Sequence, residues 1–223
     1  MIVVHHLNNS RSQRILWLLE ELGLDYTIQS WQRDKKTMLA PPELRAIHPL
    51  GKSPIVVDGD VVLAESGAII ETIVERYDTA NTLAPPRDSA QFQRWRYWLH
   101  YAEGSAMPPL LLKLIFDRIR TAPMPFFAKP FARAIADKAV AGFIGPQLTL
   151  HLDFMEGVLA NSEWFVGDQF SAADIQLSFP LEAAASRAGL DHNRPRLLHW
   201  LQRIHARPAY QRALQRGGPY DYA

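Results

Sequence analysis

Ser10 is the first residue in the chain whose type and position could do chemistry, because it precedes an apolar helical pattern and stands four residues before Arg14. A hydroxyl at the start of a helix can donate to a bound thiolate, and the helix N-terminus adds favourable partial charge. A charge-assisted hydrogen bond of about 1.5 to 3 kcal/mol and a helix terminus of about 0.3 to 1 kcal/mol together suffice to lower a thiol pKa by about two units. Ser10 could equally be a simple N-cap, with Asn9 or Ser12 as the donor.

A second segment, Gly51-Lys52-Ser53-Pro54, places a proline directly before a β-branched strand pattern. Proline lacks an amide donor and the bond before it can be cis, so Ser53 could leave its own backbone N–H and C=O free for an extended peptide. A trans proline at an ordinary strand start is the alternative.

A third segment, Glu65-Ser66, stands where the next helical pattern begins. The unpaired amides and positive dipole end of a helix form an anion site, whereas the Glu65 carboxylate suits an ammonium group. A ligand that carries an α-amino and an α-carboxylate group side by side would satisfy both. Helix capping by these two residues is the simpler explanation.

The composition narrows the chemistry that these segments could perform. The 223 residues include no cysteine, so any reacting thiol must belong to a substrate, and disulfides and thiolate metal sites are excluded. The histidines predict no metal site either: His5 and His6 point to opposite faces of a strand, and His199 and His205 lack ligand spacing.

Charge and hydropathy exclude further classes of function. Lys plus Arg is 24 and Asp plus Glu is 23, which disfavours nucleic acid and acidic membranes as partners. The N-terminus lacks the pattern of a signal peptide, and no apolar run approaches the length of a spanning helix. We therefore expect a cytoplasmic protein that does not bind membranes.

The elements that must position these residues divide the chain at about residue 80. The hydrophobic pattern of residues 1–80 predicts the order βαβ, loop, ββα. The predicted elements are two strands at 2–4 and 26–28 around a helix at 14–23, then a hairpin of 55–57 and 61–64, then a helix at 65–77. The strand, helix, strand succession implies a parallel pair. This α/β domain is expected to be thioredoxin-like.

Residues 81–88 are polar and proline-marked, which indicates a linker to an all-α domain at 89–223. Predicted helices cover 89–107, 110–120, 131–160, 171–187 and 195–206. Gly104, Pro108 and Pro109 interrupt this pattern, so the backbone should kink or restart there and shape a pocket lined by Tyr101 and Met107; core packing of these two is the alternative.

Ser171 and Asp174 have the spacing of a capping box, which is a structural feature.

Three blocks make the chain similar to a known family. They are Ser10-x-x-x-Arg14 with Trp17-Leu18-Leu19-Glu20-Glu21, then His48-Pro49-Leu50-Gly51-Lys52-Ser53-Pro54, then Leu63-Ala64-Glu65-Ser66-Gly67-Ala68-Ile69. On these blocks the chain resembles the cytosolic glutathione S-transferase superfamily over essentially its full length, and within it a bacterial-type serine member. The resemblance implies a thioredoxin-like N-terminal domain, an all-α helical bundle domain and a homodimer.

The resemblance also implies roles for individual residues. Ser10 would lower the pKa of the glutathione thiol. Ser53 would present its backbone to the cysteinyl unit beside a cis Pro54, while Glu65 and Ser66 would hold the γ-glutamyl end. Lys52 would meet the glycyl carboxylate.

Some positions depart from the family pattern. His48 stands where the family often has Asn, and between Trp31 and Leu39 only Lys35 or Lys36 could replace the usual glycyl-end contact. A gapless comparison with tyrosine-type members puts His5 near their tyrosine.

The function implied is glutathione transfer to a small, hydrophobic electrophile without a metal, with hydroperoxide reduction by the same thiolate as a related activity. The alternatives are a non-catalytic protein of this fold that binds glutathione or another ligand, and a partner-binding module.

Overall fold

The N-terminal part of the chain is a mixed four-stranded sheet with two helices. The computed structural model describes residues 1–222, and the sheet has the order β2-β1-β3-β4. β1 is parallel to β2 and antiparallel to β3, and β3 is antiparallel to β4. This is the predicted thioredoxin-like arrangement. Its elements are β1 (Ile2–Leu7), α1 (Ser12–Glu21), β2 (Tyr26–Trp31), β3 (Ile55–Asp58), β4 (Val61–Ala64) and α2 (Ser66–Tyr77), with a 3₁₀ turn at Pro42–Ala46.

The first two strands are longer than their apolar runs predict. The predicted strands end at residues 4 and 28, whereas the ladder between β1 and β2 continues to the pair Leu7↔Trp31. The added residues are mostly polar, and backbone pairing rather than side-chain hydropathy extends the strands. As a consequence β1 carries His6 and Leu7 up to the beginning of α1.

The remainder of the described chain is helical, as predicted. Its central helix is α7, in which every residue from 172 to 184 is buried. Among residues 1–222, no helix combines the length and the hydrophobicity that crossing a bilayer requires. The helices are α3 (Ala90–Tyr101), α4 (Met107–Thr121), α5 (Lys129–Ala139), α6 (Gly145–Val158), α7 (Ala172–Arg187), α8 (Pro195–His205) and α9 (Pro208–Gly217).

The predicted interruption around Gly104 is absorbed without a break. A π-helical turn at Ala102–Ala106 joins α3 directly to α4, and a second one at Val140–Ile144 joins α5 to α6. Pro108 and Pro109 follow the first turn. A proline inside a helix removes an amide donor and clashes with the carbonyl four residues before it, and a locally wider turn relieves both problems.

Helix α1 is buried on almost every side. Its residues from Ser12 to Leu19 are all buried, including the polar Ser12, Gln13 and Arg14. The helix contacts β1 on one side and α7 and α9 on the other. The amphipathic pattern predicts the helix correctly but not the burial of these three polar side chains, which need partners inside the protein.

The predicted capping box at the start of α7 is present. The carboxylate of Asp174 accepts hydrogen bonds from the backbone N–H and the hydroxyl of Ser171, at 3.0 and 3.1 Å. Its other oxygen accepts from the Phe165 amide at 3.2 Å and from Trp200 Nε1 at 3.1 Å. Burial raises the pKa of Asp174 to about 6, although these four donors oppose the shift.

Candidate active site

Ser10 lies in the turn between β1 and α1 and is almost completely buried. Its Oγ accepts a hydrogen bond from the Ser12 amide at 3.2 Å and contacts Ser12 Oγ at 2.8 Å. Ser53 Oγ lies 3.5 Å away. The regular helix begins at Ser12, and Arg11 before it makes no side-chain capping bond. The Ser10 hydroxyl, which accepts from the Ser12 amide, therefore caps the first turn and lies at the positive end of α1.

Asn9 and His5, which were also candidates for activating a thiol, are held by different partners. Asn9 has a positive φ of 49°, and both ends of its amide bind Asp221: Nδ2 donates to Oδ2 at 2.6 Å, and Oδ1 accepts from the Asp221 amide at 2.9 Å. His5 accepts from Trp31 Nε1 at 3.2 Å through its Nδ1. Of the three, only Ser10 contacts the side chain of Ser53.

The segment before β3 has the backbone arrangement that the resemblance implies. The Ser53–Pro54 bond is cis, and the Ser53 hydroxyl donates to the His5 carbonyl at 3.1 Å. Within the described residues, no hydrogen bond uses the backbone N–H or C=O of Ser53. Both groups are therefore available to an extended ligand.

The start of α2 offers an anion site next to a carboxylate. Ser66 is its first residue, and Glu65 before it adopts a positive φ of 67° and is exposed. The first amides of a helix have no partner within the helix. The Ser66 hydroxyl oxygen accepts from Arg14 Nη2 at 3.0 Å, and Gln176 Nε2 lies 3.5 Å from it. The Ser66 side chain is thereby fixed beside the cleft that Ser66 lines.

These two segments face one cleft with a volume of about 280 Å³. Five predicted binding residues line it: Lys52, Ser53, Pro54, Glu65 and Ser66. The other lining residues are Arg11, His48, Leu50, Ala64 and Glu103. The cleft thus combines two cations, two carboxylates and free backbone amides, which suits a peptide with charged ends.

Glu103 and Arg11 are site residues that the sequence analysis missed. Glu103 lies in the π-helical turn after α3, accepts from Arg11 Nε at 2.9 Å and also pairs with Nη2 of the buried Arg14. Burial disfavours its charged form, but the Arg14 and Arg11 charges outweigh this and hold the pKa of Glu103 below its usual range. This ion-pair cluster joins the helical bundle to the floor of the cleft.

Arg14 also binds a backbone carbonyl of α7 that has no helical donor because a proline follows it four residues later. Pro180 lies inside α7 and has no N–H, so the carbonyl of Gln176, four residues earlier, lacks its helical donor. Arg14 Nη1 donates to that carbonyl. Pro180 in an otherwise helical pattern is a sequence signal that an outside donor is needed, although it cannot say which residue supplies it.

Replacing Glu103 with Gln should destabilise the protein at neutral pH by about 1 to 3 kcal/mol, because the buried Arg14 loses its counter-charge. A carboxyl group with a depressed pKa stabilises the folded state above its unfolded pKa, and this contribution is lost as the pH falls through the folded pKa. The difference in free energy of unfolding between the wild type and the variant should therefore become smaller in acid. Urea unfolding at pH 7 and pH 3.5 measures both effects.

The matched control is Glu75→Gln, because Glu75 pairs with Arg87 on the surface, where both side chains are well exposed. We expect it to cost less than about 0.5 kcal/mol at either pH. Equal losses in the two variants would contradict the structural role of Glu103.

Tyr101 and Met107, predicted to line a second pocket, are both buried in the helical core. The Tyr101 hydroxyl lies 2.6 Å from Nδ1 of His151 on α6, and neither Tyr101 nor Met107 lines the cleft. Tyr101 and Gly104 instead line a separate, open pocket of about 510 Å³, to which Met107 does not contribute. The part of Tyr101 and Met107 in substrate binding stays a prediction. The cleft residue from this segment is Glu103.

The C-terminal tail returns to the turn that carries Ser10. Beyond the Asp221 contact with Asn9, the Tyr220 hydroxyl donates to Glu182 Oε2 at 2.6 Å and Arg187 Nη1 donates to the Tyr222 hydroxyl at 3.1 Å. The Tyr222 ring packs edge-on against Phe179, with centroids 5.5 Å apart. These contacts place tail residues beside the first turn of α1.

Lys35 and Lys36, the substitutes considered for a glycyl-end contact, lie in an exposed turn and do not line the cleft. Arg33 from the same loop instead donates to the Asn8 carbonyl at 3.2 Å. Among residues 1–222, no three His, Asp or Glu side chains are grouped so that they could hold a metal ion.

Comparison with known proteins matches both parts of the chain. Residues 1–75 match the family described as "Glutathione S-transferase, N-terminal domain", and residues 126–208 match "Glutathione S-transferase, C-terminal domain".

Individual relatives match over nearly the whole chain. "Glutathione S-transferase 1" of Saccharomyces cerevisiae is 36% identical over 94% of this chain and 92% of its own, and "Glutathione S-transferase 3" of Schizosaccharomyces pombe is 35% identical over 97% and 88%. The crystal structure of a glutathione S-transferase from Actinobacillus pleuropneumoniae superimposes with a TM-score of 0.81 and 34% identity. It covers 100% of this chain and 95% of its own.

Proposed function

The chain belongs to the glutathione S-transferase family and is an enzyme of that kind, and from this premise we propose that it ionises glutathione in the cleft beside Ser10 and transfers the thiolate to a small, largely apolar electrophile. The observation that carries the proposal is that the segments around Ser53 and Ser66 line one cleft, and that Ser53 contacts Ser10. Ser10 itself is buried and does not line the cleft, but its Oγ lies 3.5 Å from the Ser53 hydroxyl.

The ends of glutathione fit the charges along this cleft. The α-carboxylate of the γ-glutamyl residue would bind the free amides at the start of α2 beside Ser66, and its ammonium group would face Glu65. The cysteinyl unit would pair with the free backbone of Ser53. Lys52 would meet the glycyl carboxylate.

In this arrangement the sulfur reaches the turn before α1, where Ser10 would donate to it. An unperturbed thiol with a pKa of about 8.5 is only a few per cent ionised at pH 7, so stabilising the thiolate directly raises the concentration of the nucleophile. Binding both reactants side by side supplies the rest of the acceleration. Since the chain has no cysteine, disulfide exchange through a protein thiol is not part of the proposal.

We propose that the electrophile binds against α4 rather than around Tyr101 and Met107. Leu111, Ile115 and Arg118 share one face of α4 by their spacing, and all three are exposed. Burial lowers the pKa of Arg33, and the charges of Arg11 and Arg118 lower it further, so Arg118 lies near the loop that follows β2.

Hydroperoxide reduction would use the same thiolate. It would attack the terminal peroxide oxygen and release an alcohol, and a second glutathione would convert the resulting sulfenic acid to glutathione disulfide and water. The homodimer typical of the family and a cytoplasmic location also stay proposals, and light scattering that gave the mass of one chain would contradict the first.

The test of the proposed function is a binding and turnover assay on the intact protein. We expect retention on immobilised glutathione, and turnover with at least one electrophile among aryl halides, isothiocyanates and hydroperoxides. Retention without any turnover would indicate a non-catalytic glutathione-binding protein. Absence of both would contradict the proposal and favour a partner-binding module.

A further inference from the structure

A chain of buried side chains extends from Ser10 into the protein, away from the cleft. Ser10 Oγ lies 2.8 Å from Ser12 Oγ, and Ser12 Oγ lies 2.9 Å from Nδ1 of His6. All three residues are buried, and Ser12 has no exposed surface. The titratable ring of His6 is therefore connected, through the one hydroxyl group of Ser12, to the residue that would contact the sulfur.

The surroundings of His6 favour a defined proton position. Burial lowers the pKa of His6, and a hydrogen bond to the Gly217 carbonyl raises it, with no carboxylate or cation among the influences. Its neighbours are Ser12 and Gln13 on α1, Gly217 at the end of α9 and Ser30, its register partner on β2. A Cβ on Gly217 would come within 2.6 Å of Gln13 Oε1 and 3.5 Å of His6 Cε1, so the end of α9 packs closely against both residues.

We propose that His6 and Ser12 are positioning residues that accept the thiol proton of bound glutathione through Ser10 and turn the Ser10 hydroxyl toward the thiolate. The inference rests on the proposed function, because it needs a glutathione sulfur at Ser10. It concerns how the thiolate is made rather than which electrophile it attacks.

Before proton transfer, the hydrogen bonds run inward. The thiol donates to Ser10 Oγ, the Ser10 hydroxyl donates to Ser12 Oγ, and the Ser12 hydroxyl donates to His6 Nδ1. The proton of the neutral His6 ring is then on Nε2. The remaining lone pair of each serine oxygen accepts a backbone N–H: Ser12 accepts from Leu7 at 3.2 Å, and Ser10 from Ser12 at 3.2 Å. The Leu7 carbonyl, 3.3 Å from Ser12 Oγ, is a second acceptor for the Ser12 proton but lies farther away than His6 Nδ1 at 2.9 Å.

After transfer, each proton has moved one place along the chain. Nδ1 of His6 holds a proton and donates to Ser12 Oγ, Ser12 donates to Ser10 Oγ, and Ser10 donates to the thiolate. Each serine has gained one proton and lost one, so the sulfur alone becomes negative and the ring alone becomes positive. The two backbone donors are unchanged, and no lone pair or proton of either serine is left unused in either state.

The two directions of these hydrogen bonds explain why two serines, Ser10 and Ser12, lie between His6 and the sulfur. A single hydroxyl that already accepts from a backbone amide could donate either to the interior or to the sulfur. Protonation of His6 selects the second direction, because the Ser12 hydroxyl then points at Ser10. The Gly217 backbone favours the charged ring, since its interaction with His6 raises the pKa of His6 against the effect of burial.

The test measures the ultraviolet absorbance of the thiolate near 240 nm as a function of pH, with glutathione bound to the intact protein. We expect Ser12→Ala and His6→Asn each to raise the apparent pKa of the bound thiol by about one unit, which is about a tenfold loss of thiolate at neutral pH. The affinity for glutathione at acidic pH, where the thiol is protonated, should change less than about twofold. His6→Gln serves as a second variant if His6→Asn does not fold.

Ser178→Ala is the matched control, because Ser178 is also a buried serine but donates only to the Ile175 carbonyl at 2.9 Å. We expect no shift in its titration. If the wild-type protein lowers the thiol pKa but Ser12→Ala and both His6 variants titrate like it, the relay is wrong and the proposed function stands. If the wild-type protein binds no glutathione, the proposed function itself fails.

Discussion

Replacing Ser10 with alanine should raise the pKa of the bound glutathione thiol by about one to two units, since a charge-assisted hydrogen bond contributes about 1.5 to 3 kcal/mol. The thiolate fraction at neutral pH, and with it kcat/KM, should fall about 10- to 100-fold. The same absorbance titration measures the shift, and initial rates at saturating glutathione measure its effect on turnover. Binding of the peptide itself should change little, because its charged ends contact other residues.

Asn9→Ala is the informative comparison, because Asn9 is the neighbouring side chain that could also donate. Its amide is already paired with Asp221, so we expect the thiol titration of this variant to stay within about 0.3 units of the wild type. A large shift in Asn9→Ala together with an unchanged Ser10→Ala would reverse the assignment of the donor.

Asp174→Ala should be the most destabilising substitution considered, at about 3 to 5 kcal/mol. It would leave the Phe165 amide, the Trp200 indole N–H and the Ser171 amide buried without acceptors, and each such group costs about 1 to 3 kcal/mol. At about 2 to 4 °C per kcal/mol for a chain of this size, the melting temperature should fall by roughly 10 °C. Calorimetry measures this, and glutathione affinity well below the transition should be retained. A loss of affinity without a loss of stability would contradict a structural role.

The pH dependence gives a second check on Asp174. Its pKa in the folded protein is raised to about 6, so the folded state binds more protons than the unfolded state between roughly pH 4 and pH 6. This contribution is present below the unfolded pKa and is lost as the pH rises through the folded pKa. The free energy of unfolding of the wild type, measured in urea relative to Asp174→Asn, should therefore increase as the pH is lowered from 7 to 5.

The features predicted correctly from the sequence are local ones. The hairpin follows from Asp58-Gly59, where Gly59 adopts a φ of 62°. The capping box follows from the spacing of Ser171 and Asp174, because its hydrogen bonds lie within one turn. The cis bond at Pro54 was implied by the family resemblance, and it is present.

The features that were missed depend on contacts between distant parts of the chain. Glu103 meets Arg14 across 89 residues, and Asp221 meets Asn9 across 212. No periodicity encodes such a meeting, because it depends on how the helical bundle packs against the sheet. The polar side chains buried in α1 were the available signal, since each of them requires a partner that the helix cannot supply.

The helix interruption near Tyr101 and Met107 shows a different limit. The pattern of Gly104, Pro108 and Pro109 predicts an unusual backbone, and the chain forms a π-helical turn at Ala102–Ala106. This turn presents Glu103 to the cleft, whereas Tyr101 and Met107 are largely buried. A helix interruption in a sequence therefore indicates an unusual backbone without specifying which side chains it exposes.

A crystal structure of the protein with glutathione bound would show whether the sulfur lies at Ser10. We expect the sulfur within about 3.5 Å of Ser10 Oγ, at hydrogen-bonding distance for a thiolate. We also expect the cysteinyl backbone to pair with Ser53 and the γ-glutamyl carboxylate to bind the Ser66 amide. A peptide bound elsewhere, or in the cleft with its sulfur directed away from the start of α1, would contradict the proposed function.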